Sequence, residues 1–597
     1  MIIKMLNGIA LVRIFVTTCV TICITICITI CVTASAATPQ LDALYESDWQ
    51  WTLSHSPEAA TSLGDNRYNH RLTNTTLAAS RVYNKHQQDM LKEALKINRA
   101  SLSGQDLISY DQFVLDKKLL INAAAFYPYT VQPITQIDGF QVTFPDLVSQ
   151  TPFNSALDYH NYLARLHGIP AYVDGIIEQL TQGMKSGWVA PKVIIEPVPR
   201  QLNELRLHLD ESELAEPFKA IPPNVPKSAI FAELGKKELN EHVAPALLKL
   251  ENFITTQYLP ACRDSIAAQS LPGGMPYYQF LIQLNTTTNQ TPEQIHALGL
   301  SEVARIRAEM QKIIEQVGFK GSFSEFTTFL NSDPRFYYTK TDDLLNGYRA
   351  IIAQVYQVLP EMFAHLPNEK VGLKPMALLG SEQLPSAYYV GGSEDGKKEG
   401  YFAVNISNLN TRAKWEMETL TLHETIPGHH LQDRIAKEAR DLPKFRRNAN
   451  YTAFDEGWAL YAESLGDDMG FYKDPYSKFG NLNDELLRAA RLVVDTGMHA
   501  LGWSREQAIA YLNENTANPP NDNRVEIDRY IAWPAQALAY KTGQLKIKEL
   551  RDRAKSALGE KFNLRAFNNA VIDNGSLPLA VLETQIDLWI AQQQTPH

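Results

Sequence analysis

The chain has 597 residues, of which 45% are hydrophobic, and its 66 acidic against 56 basic side chains give a formal net charge of −10. That length and apolar content suffice for a large buried core without disulfide support. The acidic balance argues against nucleic acid or an anionic membrane surface as a partner.

The first 36 residues read as an export signal. Lys4 and Arg13 supply positive charge, Ile14 to Val32 is uncharged and largely apolar, and Ala34-Ser35-Ala36 fits cleavage before Ala37. An uncleaved anchor is the alternative, because the apolar run is about long enough to span a bilayer; its many threonines make it a weak span. Cys19, Cys23, Cys27 and Cys31 lie inside this segment, leaving Cys262 alone in the mature chain. An exported protein held by core burial is therefore expected, periplasmic or secreted, with no internal disulfide and no stable membrane insertion. Loss of Lys4 and Arg13 makes its charge −12, since no acid precedes residue 37.

The mature chain reads as mainly α. Leu157 to Met184 and Thr291 to Val317 show apolar residues at three- and four-residue steps. The second begins with Thr291-Pro292-Glu293-Gln294, a capped start with proline at the first position, and stops at Gly318. Asp484 to Gly502 and Pro534 to Arg551 read as further long helices, and short strands are expected at Lys192 to Glu196, Ala387 to Val390 and Tyr401 to Asn405. The loop Leu271-Pro272-Gly273-Gly274-Met275-Pro276 suggests an N-terminal helical half, 37–275, and a C-terminal catalytic half, 276–597, unless the two form one continuous domain.

His423-Glu424-Thr425-Ile426-Pro427-Gly428-His429-His430 places three imidazoles and a carboxylate within about two helical turns. The zinc-hydrolase pattern H-E-x-x-H needs histidine at 427, where proline stands. On a regular helix His429 lies roughly 120° around from His423, and His430 shares its face but sits about 10.5 Å along the axis. Neither can then share an ion with His423. Pro427 lacks an N–H and its ring clashes with the His423 carbonyl, while Gly428 permits the backbone angles of a break. A broken helix with a bulge between the histidines returns His429 to the second ligand position, with His430 in reserve. Phe454 to Glu463 offers a third ligand on a following helix, with Asp455 as its cap. Glu456 and Glu463, seven apart, share a face; position near the helix start favours Glu456. His423, His429 and Glu456 then match a catalytic Zn2+ shell, and Glu424 is the general base that takes a proton from the zinc-bound water.

These residues resemble the bacterial family called domain of unknown function 885. The likeness rests on His-Glu-x-x-Pro-Gly-His-His-Leu-Gln at 423–432 and Glu-Gly-Trp-Ala-Leu-Tyr-Ala-Glu at 456–463. Supporting matches lie at 271–274, 291–296, 400–405, 495–499 and 529–536, with Ala535 where the family pattern expects glycine, a departure that bears on packing more than chemistry. The resemblance implies a large, mostly helical, zincin-like metallopeptidase fold with a deep cleft and a small β-sheet near the active site.

His499 and Tyr530 are candidate donors to the reaction's oxyanion. Tyr401 to Asn405 is a candidate edge strand for pairing with an extended substrate, which makes Asn405 a substrate-binding candidate; Arg524, Arg529 and Lys541 could hold a substrate carboxylate. The expectation is an exported zinc metallopeptidase acting on oligopeptides. The alternatives are a zinc hydrolase of a non-peptide amide and a non-catalytic binding protein of the same fold.

Overall fold

The computed structural model describes residues 37–126, 133–376, 385–394, 396 and 398–595. The expected signal segment, with its four cysteines, lies outside the described residues. The described chain is mainly α-helical with one small mixed sheet.

Helix α1, Ala156–Ser186, is closed at its start by a reciprocal capping box between Ser155 and Asp158 and at its end by Gly187 at φ 77°. Helix α2, Pro292–Gln316, starts with the box formed by Thr291 and Gln294, and Gly318 at φ 72° follows its end. Helix α3 is Met417–Glu424, α4 is His429–Glu438 and α5 is Thr452–Asp468. Helix α6, Pro475–Ala500, begins nine residues ahead of the expected Asp484, because Asp474 caps it by accepting from the Tyr476 N–H and proline follows at the first position. Helix α7 is Pro520–Ala532. Helix α8, Ala539–Leu558, starts later than Pro534. Ala535 stands at φ 67° and a short 3-10 turn intervenes. The missing glycine at 535 is therefore a matter of backbone conformation: an alanine occupies a left-handed position that glycine takes without steric cost.

Lys192 to Glu196 is a helical turn, Lys192–Ile195, and not a strand. Ile194 and Ile195 are fully buried in the core, so tertiary burial overrides the β preference of the branched side chains.

The sheet has three strands: β1, Gly372–Pro375; β2, Ala387–Val390; and β3, Tyr401–Val404. Their order is β1-β3-β2, with β1 parallel and β2 antiparallel to β3. The expected edge strand, β3, is thus central and has no free edge; β1 and β2 are the outer strands. Strand β1 is unforeseen, since Gly-Leu-Lys-Pro has no strand-like alternation.

One large apolar core gathers Leu422, Ile426 and Leu431 of the histidine segment with Phe454, Trp458 and Tyr461 of α5 and Ile547 and Leu550 of α8. Helices α5 and α8 touch through two glycines. A Cβ on Gly457 would lie 2.5 Å from the Gly543 backbone, and one on Gly543 would lie 1.7 Å from the Ala453 carbonyl oxygen. That close crossing fixes the position of Glu456, one residue before Gly457. Among the described residues no helix is long and apolar enough to cross a membrane.

Candidate metal centre

The histidine segment forms two helices and not one. Helix α3 ends at Glu424; Thr425 takes φ −113°, ψ −104°, the Ile426–Pro427 bond is cis, and α4 begins at His429. The expected bulge is a four-residue turn, 425–428. The Thr425 carbonyl accepts from the Leu431 N–H at 3.3 Å, six residues on, so the backbone skips two residues where a regular helix would bond four on. Gly428 has no alternative here: a Cβ would lie 1.9 Å from the His423 carbonyl oxygen and 2.4 Å from that of Leu422. The turn is anchored from α5, where the Trp458 indole N–H donates to the Pro427 carbonyl at 2.9 Å.

This turn swings His429 back onto His423. Their rings meet edge to face at 4.8 Å between centroids. His423 Nε2 lies 3.5 Å, and His429 Nε2 3.4 Å, from Glu456 Oε2. Ligand bonds of about 2.0–2.1 Å arranged tetrahedrally place donors roughly 3.3–3.4 Å apart. The observed spacings match that edge length, and Glu456 Oε2 is enclosed without a hydrogen-bond partner of proper geometry. The chemistry of the donors, two imidazoles and one carboxylate, fits a divalent ion such as Zn2+.

Around these donors a second layer fixes their orientation. Glu463, two turns beyond Glu456 on α5, accepts from His423 Nδ1 at 2.7 Å; its side chain is 1% exposed. That bond leaves Nε2 facing Glu456. Asp455 is not the helix cap, which is Tyr451; it lies within the first turn and accepts from Gln432 of α4 at 2.7 Å. Burial opposes a charged His423, but the close Glu456 carboxylate, the hydrogen bond to Glu463 and the nearby Glu424 charge outweigh it and push its pKa up to about 10. His429 is likewise opposed by burial and raised by Glu456. Glu456 is raised by burial but held well below the usual carboxylate range by the two imidazoles. The pocket thus concentrates carboxylate charge on two imidazoles, an arrangement that suits a cation.

Glu424 sits beside His423 and its Oε2 accepts from the Tyr389 N–H of β2 at 2.9 Å, which ties it to the sheet. His430 points elsewhere: Nε2 faces the Glu369 carbonyl at 3.2 Å and the ring packs against Tyr389.

The remaining expected residues engage partners other than the three donors. His499 is fully buried with both ring nitrogens engaged, Nδ1 with the Ala268 N–H at 3.2 Å and Nε2 with the Tyr530 carbonyl at 3.0 Å. Burial pushes its pKa down to about 4, so it is a neutral core histidine with no nitrogen left for an oxyanion. Asp495 does not pair with it, because the Tyr278 hydroxyl and the Ala535 N–H take that carboxylate. The Tyr530 hydroxyl accepts from Arg491 Nε at 2.7 Å and donates to Glu526. Asn405 is fully buried; its amide donates to the Pro385 carbonyl and its oxygen accepts from Ser407, so it shapes the turn after β3. Arg524 is half exposed and faces Asn521 and Asp528 on its own helix. Arg529 pairs with Glu526 beside Tyr530. Lys541 is buried between Glu302 and Glu485. The Cys262 thiol is pushed up to about 12 by burial, which keeps it unreactive.

Sequence reasoning missed Glu463 as an orienting residue, although its seven-residue spacing from Glu456 was the available signal. It also missed Tyr389, for which no local signal existed. A second group, His167, Glu238 and His242, brings three donors together on the surface, with His167 65% exposed. It lacks the enclosure and second layer of the first.

The family described as bacterial protein of unknown function (DUF885) matches residues 57–586, and the chain belongs to that family. No curated protein matches the chain. Among solved structures, one from Colwellia psychrerythraea described as a "putative lipoprotein" is 29% identical, with a TM-score of 0.88 over 93% of this chain and 99% of that one. Another, from Shewanella oneidensis and described as a "putative lipoprotein of unknown function", is 18% identical and shares the fold, with a TM-score of 0.67 over 91% of this chain and 98% of that one.

Proposed function

We propose that this family member is an exported zinc-dependent hydrolase of peptide bonds, acting on oligopeptides in the periplasm or outside the cell. The observation that carries the reading is that His423 Nε2 and His429 Nε2 each stand at about tetrahedral-edge spacing from Glu456 Oε2, with all three donors within 4.8 Å of one another and Glu424 next to His423 in the chain. Zn2+ held there supplies a Lewis acid and lowers the pKa of water.

The chain's own residues supply the rest. Glu424, fixed through Oε2 by the Tyr389 N–H, keeps Oε1 to take a proton from the attacking water and to return it to the leaving amine. Glu463 holds His423 in the tautomer that presents Nε2. Alternation along β2 supports a peptide substrate. The Ser386 carbonyl accepts from Asn405, toward β3, so the backbone groups of Ala387 and Tyr389 face away from the sheet. An extended substrate running along that edge passes within reach of Glu424. The lipoprotein wording attached to the two solved relatives supports export.

Metal analysis of the purified protein together with a peptide-library screen tests the reading. The expected result is one tightly held zinc per chain and cleavage that vanishes in Glu424→Gln with the zinc retained. Undiminished cleavage by Glu424→Gln would overturn the mechanism, and no cleavage of any peptide would turn the reading toward a non-peptide amide or a binding protein.

A further inference from the structure

Near the second layer of the metal centre, reached through Arg488, lies a group of arginines carried by helices α6 and α7. Helix α6 packs against both α3 and α5 and carries Arg488 and Arg491 on one face. Arg488 donates to Asp484 at 2.6 Å and its charge acts on Glu463, the residue that orients His423. Arg491 and Arg529 share a single carboxylate, Glu526, at 2.9 and 3.4 Å. Among the described residues no other carboxylate is in ion-pair contact with either arginine. The neighbouring Tyr530 and Tyr540 are uncharged phenols, with the Arg491 guanidinium 4.4 Å from the Tyr540 ring. Two guanidiniums against one carboxylate leave one uncompensated positive charge in an enclosed setting, which is costly without a further anion.

Two donors there are enclosed and unpartnered, Arg488 Nε and Arg491 Nη1. The group still opens to solvent, since Arg529 is 20% and Glu526 23% exposed. Glu526 is raised by burial but brought down to about 2 by Arg491 and Arg529, so it is ionised throughout the neutral range and its single negative charge is already counted.

We propose that Arg491 and Arg529 form a subsite for the terminal carboxylate of a peptide, so that the protein acts at the carboxyl end of its substrates. Arg491 Nη1 offers a carboxylate oxygen an unused donor beside the Arg529 guanidinium, whose Nη2 holds Gln536 and Tyr540, and one added negative charge balances the two arginines against Glu526. The inference rests on the peptidase reading for its substrate, but the subsite can be tested without turnover.

The probes are one peptide as its free acid, the same peptide as its C-terminal amide, and the amide carrying an internal glutamate. Their dissociation constants are measured on zinc-loaded Glu424→Gln protein, and kcat/KM on the unsubstituted enzyme. The free acid is expected to bind at least about tenfold more tightly than either amide. Adding Arg529→Gln should collapse that ratio to nearly one by weakening the acid alone, while Arg529→Lys keeps part of it. Equal binding of acid and amide overturns the subsite, as does a preference that survives Arg529→Gln or is met by the internal glutamate. If Arg529→Gln does not fold, the acid-to-amide ratio of Glu424→Gln decides. A clear ratio with no cleavage by the unsubstituted protein would retain the carboxylate site and reject the peptidase reading.

Discussion

Removing the Glu463 carboxylate should loosen the ion without dismantling the ligand set. Glu463 is not one of the three donors, yet its 2.7 Å bond to His423 Nδ1 is sealed at 1% side-chain exposure, so water cannot replace it. Glu463→Gln keeps the volume and an acceptor oxygen but loses the charge that makes His423 a better donor. Glu463→Ala also leaves Nδ1 unpaired and frees the ring to turn. Partners of this kind typically contribute about ten- to a hundredfold in metal affinity, which is about 1.4–2.8 kcal/mol. The glutamine variant should fall at the low end and the alanine variant at the high end. Competition for zinc against a chromogenic chelator, at fixed neutral pH, measures both. Glu456→Gln, which alters a ligand, should lose more than either. If Glu463→Ala held zinc within about threefold of the unsubstituted protein, the orienting role would be refuted.

Three further outcomes are expected. Gly428→Ala must push back two carbonyls that a Cβ would meet at 1.9 and 2.4 Å, so it should destabilise the fold by about 1–3 kcal/mol in chemical denaturation and weaken zinc uptake by displacing His423. Second, stability of the zinc-free protein should fall with pH. His423 is raised from 6.5 to about 10, so its contribution is complete below about 6.5 and is lost as pH rises through about 10. Melting temperatures of chelated protein across that window should decline, whereas zinc affinity, which competes with those same protons, should rise. Third, His423→Ala should abolish the tightly held zinc while His167→Ala leaves it in place, as read by metal analysis after dialysis; the reverse result would move the centre to the surface group.

Local chemistry made much of this molecule readable. Thr291 and Gln294 announce the start of α2, and the Pro427-Gly428 pair announces a broken helix that puts His429, and not His430, opposite His423. What stayed hidden depends on partners distant in sequence. Nothing in Tyr401 to Val404 reveals that Gly372–Pro375 will pair on its second side and close the edge. Ile194 and Ile195 look like strand residues until the core that buries them is known. The meeting of Arg491 with Tyr530 and Glu526 joins residues more than thirty positions apart and leaves no periodic trace. Glu463 is intermediate: its spacing from Glu456 reveals a shared face, but not that the farther carboxylate reaches the back of the same imidazole.

The clamp between Trp458 and Pro427 bears on how the protein meets chelators. The turn that sets the ligand spacing is shaped by an indole hydrogen bond, a buried apolar lining and a glycine contact, none of which is a ligand. The fold is therefore expected to persist with the site empty, unlike small zinc domains whose structure collapses with the ion. On the proposed reading the protein should lose and regain a metal ion with its helical content unchanged in circular dichroism.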